Sequence, residues 1–285
     1  MKLSLVVCLL AAASAKIYFQ ETFNFNWFRN WLVSSAKNYG NWAWTPGSLY
    51  ADTDDYGIQT ADSNPNYAIS ASFPAFTSFD MPLIIQYTLK NEQPINCGGG
   101  YIKILPKGFN QLFFSEETPY LIMFGPDYCN GEGKGQLIIP YKGYNYNIQV
   151  PFNVANDEFT HQYTLVINPD EIIDYYIDNV LDSSIKIEEY FYMPGNYNED
   201  AHIITNIGGV GIEIAQSNPG SIFDNIFIGD SLEEARAFSE MTFVNKAKGE
   251  KEAKENFEKE LMDMNFKSDE ENEVIADEDN QEDNN

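Results

Sequence analysis

Short runs of aromatic and β-branched residues, separated by Asn, Gly, Asp and Pro, dominate the chain from Ile17 to Ile228. This pattern is typical of β-strands, and no helical period competes with it over this span. Many evenly spaced strands over roughly 210 residues predict an all-β fold, a large antiparallel jelly-roll sandwich. The clearest predicted strands are Tyr67–Phe73, Leu83–Leu89, Tyr101–Leu105, Leu137–Tyr141, Tyr163–Ile167, Ile172–Ile177 and Ile222–Ile228.

The first fifteen residues have the pattern of a secretory signal peptide. Lys2 is followed by an apolar run from Leu3 to Leu10 and by small residues at 13–15. The alternative, a membrane anchor, needs about twenty apolar residues, and this run is shorter. No later segment is apolar enough to span a bilayer, so we expect a mature chain from Lys16 without a membrane span.

The chain is strongly acidic, with 17 Lys+Arg against 43 Asp+Glu and a net charge of −26. This charge argues against nucleic acid as a partner and favours calcium, which prefers carboxylate oxygens. Ser231 and Glu234 form a capping box that predicts a helix over 231–266, with an interruption near Gly249 as an option. Beyond Lys267 every charge is negative, so 267–285 is predicted to be a disordered tail. The tail either only solvates the protein or also holds calcium loosely.

Two cysteines, Cys97 and Cys129, remain after signal cleavage. An even pair in an oxidising compartment favours one disulfide, although two free thiols are the alternative. The bond would close a loop of about 33 residues and stabilise the fold by about 3–4 kcal/mol.

Several segments inside the sandwich region, in order along the chain, resemble calreticulin and its relative calnexin. The matching segments are Tyr18–Glu21, Gly57–Thr60, Cys97–Lys103, Tyr120–Cys129, Asp157–Leu165 and Gly220–Asn225. The resemblance implies a concanavalin A- or legume-lectin-like sandwich over 16–230. It also implies an endoplasmic-reticulum lectin chaperone that binds calcium and glucosylated high-mannose glycans on unfolded glycoproteins.

The resemblance carries a sugar site over to this chain. The implied positions are Tyr101, Lys103, Tyr120, Met123, Asp127 and Glu213. An aromatic face beside a flexible cationic donor suits a polyhydroxylated ring, and the glycines at 98–100 let the backbone approach closely. Strand alternation predicts that Tyr101 and Lys103 share a face, and that Tyr120 and Met123 do not unless a bulge intervenes. Without the resemblance, both tyrosines could simply line a sandwich surface.

The chain departs from the family pattern at two places that bear on glycans and partners. Ala215 stands where the family carries a Trp, which puts sugar affinity in doubt, while Glu213 keeps the carboxylate of a family Asp. A short loop, 179–208, with one proline, Pro194, replaces the family's proline-rich arm. The oxidoreductase and isomerase partners that the arm recruits are therefore not expected.

The calcium site and the cell location also depart from the pattern. The implied calcium ligands are Thr22 in place of a Gln, the carbonyls of Asp54 and Tyr56, and the carboxylate of Asp224, which could instead cap a turn. No Lys-Asp-Glu-Leu-type retrieval signal ends the sequence, so secretion competes with retention in the endoplasmic-reticulum lumen. His161 matches a family histidine, although a satisfied structural role is the simpler interpretation.

Three classes of function compete. The first is a lectin-type chaperone, and the second is a calcium store or a secreted calcium- and protein-binding module. The third, a glycan hydrolase, is disfavoured because the chain has no Glu-x-Asp-x-x-Glu pattern, and no nucleophile elbow or phosphate loop. We therefore expect a protein that is not an enzyme.

Overall fold

Two antiparallel β-sheets packed face to face make up the body of the protein. The computed structural model describes residues 15–94, 96–141, 144–147, 152–190 and 202–282. Within these residues each sheet has eight strands. The first sheet comprises β1 (Ile17–Glu21), β3 (Trp42–Thr45), β4 (Gly57–Thr60), β6 (Leu83–Asn91), β12 (Thr160–Ile167), β13 (Ile172–Ile177), β14 (Val180–Lys186) and β16 (Ser221–Gly229). The second comprises β2 (Trp31–Val33), β5 (Asn66–Phe76), β7 (Cys97–Gly99), β8 (Ile102–Pro106), β9 (Ile122–Cys129), β10 (Glu132–Tyr141), β11 (Tyr144–Asn147) and β15 (Ile207–Ala215).

The strand order explains why residues far apart in sequence meet. The first sheet runs β14-β13-β12-β6-β16-β4-β3, with β1 beside β16, and the second runs β11-β10-β9-β8-β15-β5-β2, with β7 beside β9. Alternate residues point between the sheets and form one buried core, as Ile102, Ile104, Ile212 and Ile214 do. This confirms the predicted all-β sandwich, and each of the predicted strands is present, most of them lengthened at one or both ends.

Helices follow the last strand and cover the outer face of the first sheet. Helix α2 (Leu232–Ser239) begins at the predicted cap, where the Ser231 hydroxyl accepts from the Glu234 amide at 3.3 Å. Its Ala235 and Phe238 pack on Phe227 and the neighbouring strands. A single π-helical segment, Glu240–Val244, then leads into α3 (Asn245–Glu282).

The end of the helical region differs from the prediction in two ways. Helix α3 continues to Glu282, beyond the end that we predicted at 266 and into the segment that we predicted to be a disordered tail. Its first half is rich in Glu, Lys and Ala, and a helix that has formed there propagates more easily than a new one begins. The irregularity lies at 240–244 rather than at Gly249. Helix α3 passes through Gly249 without interruption, and the missing side chain there lets the helix lie close to Ala51.

The predicted loop at 179–208 is partly regular structure. Residues 180–186 form β14, which pairs with β13 through a tight turn at Asp178 and Asn179, and a short helix α1 (Ile187–Tyr190) follows. Both turn residues have positive φ, 51° and 66°, a conformation that Asp and Asn tolerate. The segment that stands in place of the arm therefore begins only after Tyr190, and 191–201 lies outside the described residues, as does 1–14 of the predicted signal peptide.

Candidate functional site

A buried ion pair lies on the outer face of the second sheet. Lys103 on β8 and Glu213 on β15 are 4% and 6% exposed, and the ammonium donates to the Glu213 carboxylate at 2.6 Å. The two strands are neighbours, and Lys103 is in register with Gly211, so Glu213 is its diagonal neighbour on the same face. Because an unpaired charge would be costly here, each side chain fixes the other in place.

Two tyrosines flank this ion pair. The Lys103 ammonium lies 5.3 Å from the ring centroid of Tyr120, a cation–π distance. Tyr120 precedes β9 and is not part of a strand, so the alternation rule that separated it from Met123 does not apply. Tyr101 also lies just before its strand, with its ring over Gly99. Burial, and the nearby charges of Glu213 and Asp127, raise the pKa of Tyr101.

Met123 and Asp127 on β9 extend the same neighbourhood. Met123 is buried and directly opposite Lys103 in the β8–β9 pairing. Asp127 is in register with Gly99, and its carboxylate accepts from the Gln136 amide at 2.7 Å. Burial raises the pKa of Asp127, and Lys134 partly offsets that effect. The structure therefore brings all six predicted residues, which come from β8, β9, β15 and the segments before them, into one region.

Sequence reasoning missed Tyr39 at this site. Its ring packs with Tyr120 on a small apolar cluster of Ala68, Leu105 and Phe114. Burial, and then the charges of Glu213 and Glu116, raise the pKa of Tyr39, and its hydroxyl bonds Glu116 at 3.2 Å. No local sequence signal marks Tyr39, because it reaches the site from a loop more than sixty residues before Lys103. Ala215, two residues after Glu213 on the same face, is exposed.

A disulfide and close backbone packing brace the edge of the region. Cys97 and Cys129 are directly opposite one another on β7 and β9 and form the predicted bond, with their Cα atoms 4.0 Å apart. The glycines serve internal packing, which differs from the predicted role of admitting a sugar. Side chains at Gly98 and Gly99 would collide with Gln216 and the Tyr101 ring.

The arrangement offers an ammonium, two carboxylates and aromatic rings on one sheet face. A sugar hydroxyl both donates and accepts, so it can contact an ammonium and a carboxylate together, while its C–H face packs on a ring. Across the described ranges every helix is too short or too polar to cross a bilayer. A two-sheet sandwich with such a face belongs to the class of lectin-like β-sandwich proteins.

Comparisons with known proteins identify the family. The calreticulin family model matches residues 19–196. The chain is 29% identical to calreticulin of Dictyostelium discoideum, over 84% of this chain and 80% of that protein. It is 40% identical to calreticulin of Oryctolagus cuniculus, over 63% of this chain but only 44% of the relative. The solved T. cruzi calreticulin globular domain has a TM-score of 0.77 at 29% identity, and covers 87% of this chain and all of that one. The chain belongs to the calreticulin family, and lacks the family's proline-rich arm.

A second polar region contains the carboxylate that the resemblance assigns to calcium. Asp224 on β16 is 2% exposed. The pairing of β16 with β6 shifts register just after Asp224, where the next residue, Asn225, has a positive φ of 53°. The ammonium of Lys246 on α3 lies 2.9 Å from Asp224 and 3.0 Å from Asp55. Burial raises the pKa of Asp224 to about 7, against the pull of Lys246, while the two carboxylates more than offset burial and raise the pKa of Lys246.

The predicted positions Asp54 and Tyr56 flank Asp55 in one loop, whereas the Thr22 amide donates to its neighbour Glu21 at 3.1 Å. Asp54 lies beside an open cleft of about 420 Å³ that is also lined by Asp52, Asp55 and Lys246. The amide of Tyr56 donates to Asn24 at 2.7 Å, so Asn24, two residues beyond Thr22, joins the N-terminal segment to this loop. Within the described residues no group of three or more His, Cys, Asp or Glu side chains is arranged to hold a metal. Sequence reasoning missed Asp55 and Lys246.

His161 is satisfied on both ring nitrogens. Nδ1 lies 2.7 Å from Asp178 and Nε2 lies 2.9 Å from Asp157. Burial alone would lower the pKa of His161, but these two carboxylates outweigh it and raise the pKa. The contacts support the structural interpretation of this residue.

Proposed function

We propose that this protein is a lectin-type chaperone of the secretory pathway that binds glucosylated high-mannose glycans on unfolded glycoproteins. The observation that carries the proposal is the buried Lys103–Glu213 pair beneath Tyr120, on the outer face of the second sheet and away from α2. Rigid, preorganised polar groups lose little freedom on binding. We place the protein in the endoplasmic-reticulum lumen, with secretion as the alternative, and we propose no role for the oxidoreductase and isomerase partners of the arm.

Calorimetric titration with a monoglucosylated oligomannose tests the lectin proposal. Tyr120→Ala removes a ring over Lys103 and is expected to weaken binding by about 1 kcal/mol, roughly fivefold. Tyr50→Ala, which removes an exposed tyrosine from the loop between β3 and β4, is the matched control and should bind like the parent. No heat from the parent chain at millimolar sugar would exclude the lectin function.

A second proposal, calcium storage, rests on the acidic segment at the end of the chain. Nine carboxylates and no cation follow Lys267, a composition that favours many weakly held calcium ions. The side chains of this segment lie outside the described residues. In equilibrium dialysis at millimolar calcium, a chain ending at residue 266 is expected to lose most of its bound calcium, whereas Tyr120→Ala should lose none. Equal capacity in the truncated and the full chain would exclude storage by the tail.

A further inference from the structure

Lys246 lies where a cation shared by Asp224 and Asp55 would lie. Its ammonium is within 3.0 Å of a carboxylate oxygen of each residue, and the side chain is 8% exposed. The second Asp224 oxygen accepts from the Asn225 amide at 2.7 Å, so both oxygens of this carboxylate are engaged. Calcium requires six to eight oxygen ligands at about 2.3–2.6 Å, and an ammonium at the centre of the site repels a divalent ion. The residues as arranged therefore do not fit calcium.

The geometry of the helical region directs the Lys246 side chain toward Asp224 and Asp55. The π-helical segment 240–244 has a wider turn than an α-helix, and it places Phe243 on the buried side, as Phe238 is five residues earlier. Lys246 and Glu250 follow on that same side at helical spacing. Gly249 allows the helix to approach Ala51, next to the loop that carries Asp55.

Glu250 provides a second anchor one turn after Lys246. Glu250 is fully buried, accepts from the amide and hydroxyl of Thr160 at 2.8 and 2.7 Å, and lies 3.2 Å from the Lys90 ammonium. Lys246 thus contacts carboxylates of the sandwich, whereas Glu250 contacts an ammonium and the Thr160 donors. The first turns of α3 are held to the first sheet by charges that belong to the chain itself.

We propose that the Lys246 ammonium replaces a bound calcium ion at Asp224, so that the packing of α3 on the sandwich does not depend on calcium. The proposal concerns a different region from the glycan face and does not rest on the lectin function. It predicts that this chain has no tight calcium site at Asp224, and that removing one ammonium creates one with Asp224 and the Asp54 and Tyr56 carbonyls as ligands.

The test is calcium titration of the full mature chain at micromolar concentrations, where the acidic tail contributes little. Lys246→Met removes the ammonium and keeps the apolar stem, and Lys248→Met, whose side chain is 78% exposed, is the matched control. We expect Lys246→Met to bind one calcium ion about 100-fold more tightly than the parent, and its unfolding midpoint in about 0.1 mM calcium to exceed that in EGTA by about 5–10 °C. The parent and Lys248→Met should show neither effect.

Two results would overturn the proposal. One is a saturable micromolar site in the parent chain, which the titration of the parent reveals regardless of how the variants behave. The other is a folded Lys246→Met chain, by near-ultraviolet circular dichroism, that gains no calcium binding. If Lys246→Met is unfolded in EGTA, refolding on addition of calcium supports the proposal. If Lys246→Met remains unfolded with calcium, Lys246→Gln, which keeps a donor but no charge, is titrated instead. A folded Lys246→Gln chain that gains no calcium binding would then overturn the proposal.

Discussion

Lys90, Lys103 and Lys246 are buried cations, and each contacts a buried carboxylate. Breaking such a pair by removing one partner leaves a charge without compensation, whereas replacing both partners by apolar groups is often neutral. At the scale of single residues, these pairs therefore fix the positions of side chains more than they add to net stability. The Lys103–Glu213 pair is the one that faces the proposed sugar site.

A double-mutant cycle measures what this pair contributes. Lys103→Met alone is expected to lower the free energy of unfolding by about 3–5 kcal/mol, because Glu213 stays buried without a partner. Adding Glu213→Leu should recover most of that loss of unfolding free energy. We expect neither the single nor the double variant to bind glycan. Urea denaturation of the four chains gives the coupling, and a single-variant loss below about 1 kcal/mol would mean that water compensates the Glu213 charge.

At the scale of elements, His161 ties β12 to the turn between β13 and β14. Asp178 in that turn accepts from both the His161 ring and the Gln162 amide, at 2.7 and 2.9 Å. Asp157, from the segment before β12, contacts the other ring nitrogen. One imidazole, whose charged form both carboxylates favour, therefore joins β12, the segment before it and the turn between β13 and β14.

This contact predicts a pH dependence of stability. The folded pKa of His161 is raised, so its contribution is fully present below the unfolded pKa, about 6.5, and is lost as pH rises through the folded pKa. His161→Gln is expected to cost about 1–2 kcal/mol of unfolding free energy at pH 6 and clearly less at pH 9. Denaturation at both pH values checks this, with His202→Gln as the control for loss of a histidine. An equal cost at both values would contradict a charged role for His161.

At the scale of the whole molecule, the two sheets have different outer faces. Helix α2 and the first turns of α3 cover the first sheet, where Phe227, Ile84 and Val166 form an apolar cluster with Phe238. The outer face of the second sheet carries the Lys103–Glu213 pair and its tyrosines instead. Helices α2 and α3 thus stabilise one side of the sandwich, and the polar and aromatic groups of the candidate sugar site lie on the other side.

The sequence allowed the strands and the cap to be predicted because their signals are local. A run of β-branched and aromatic residues marks β13 at its observed bounds, and Ser231 with Glu234 marks the start of α2. The disulfide could be predicted from cysteine number and compartment. Burial of a charged residue has no such local signal. Lys246 and Glu250 lie in a helix with many charges, and only its docking on the sandwich distinguishes them from the exposed Lys248.

The candidate sugar site was predicted through family resemblance, and its geometry could not be read from strand alternation alone. Tyr101 and Tyr120 both lie just outside strands, where a period of two does not apply. Tyr39 enters from a distant loop because the order of strands in the sheet, not the order along the chain, decides which residues meet. The short loop in place of the arm was predicted to begin at 179. The structure instead continues the sheet with β14 beyond the tight turn at Asp178, a pairing that has no local sequence signal.

The bond between Cys97 and Cys129 has a practical consequence for work on this protein. The strand pairing that it closes also includes Gly99 opposite Asp127, directly beside Tyr101. In a reducing host such as ordinary bacterial cytosol this bond would not persist, and the sandwich core could fold while β7 loses its covalent attachment to β9. Recombinant material for sugar measurements should therefore be produced in the periplasm or by secretion, and its free-thiol content should be determined before any negative binding result is accepted.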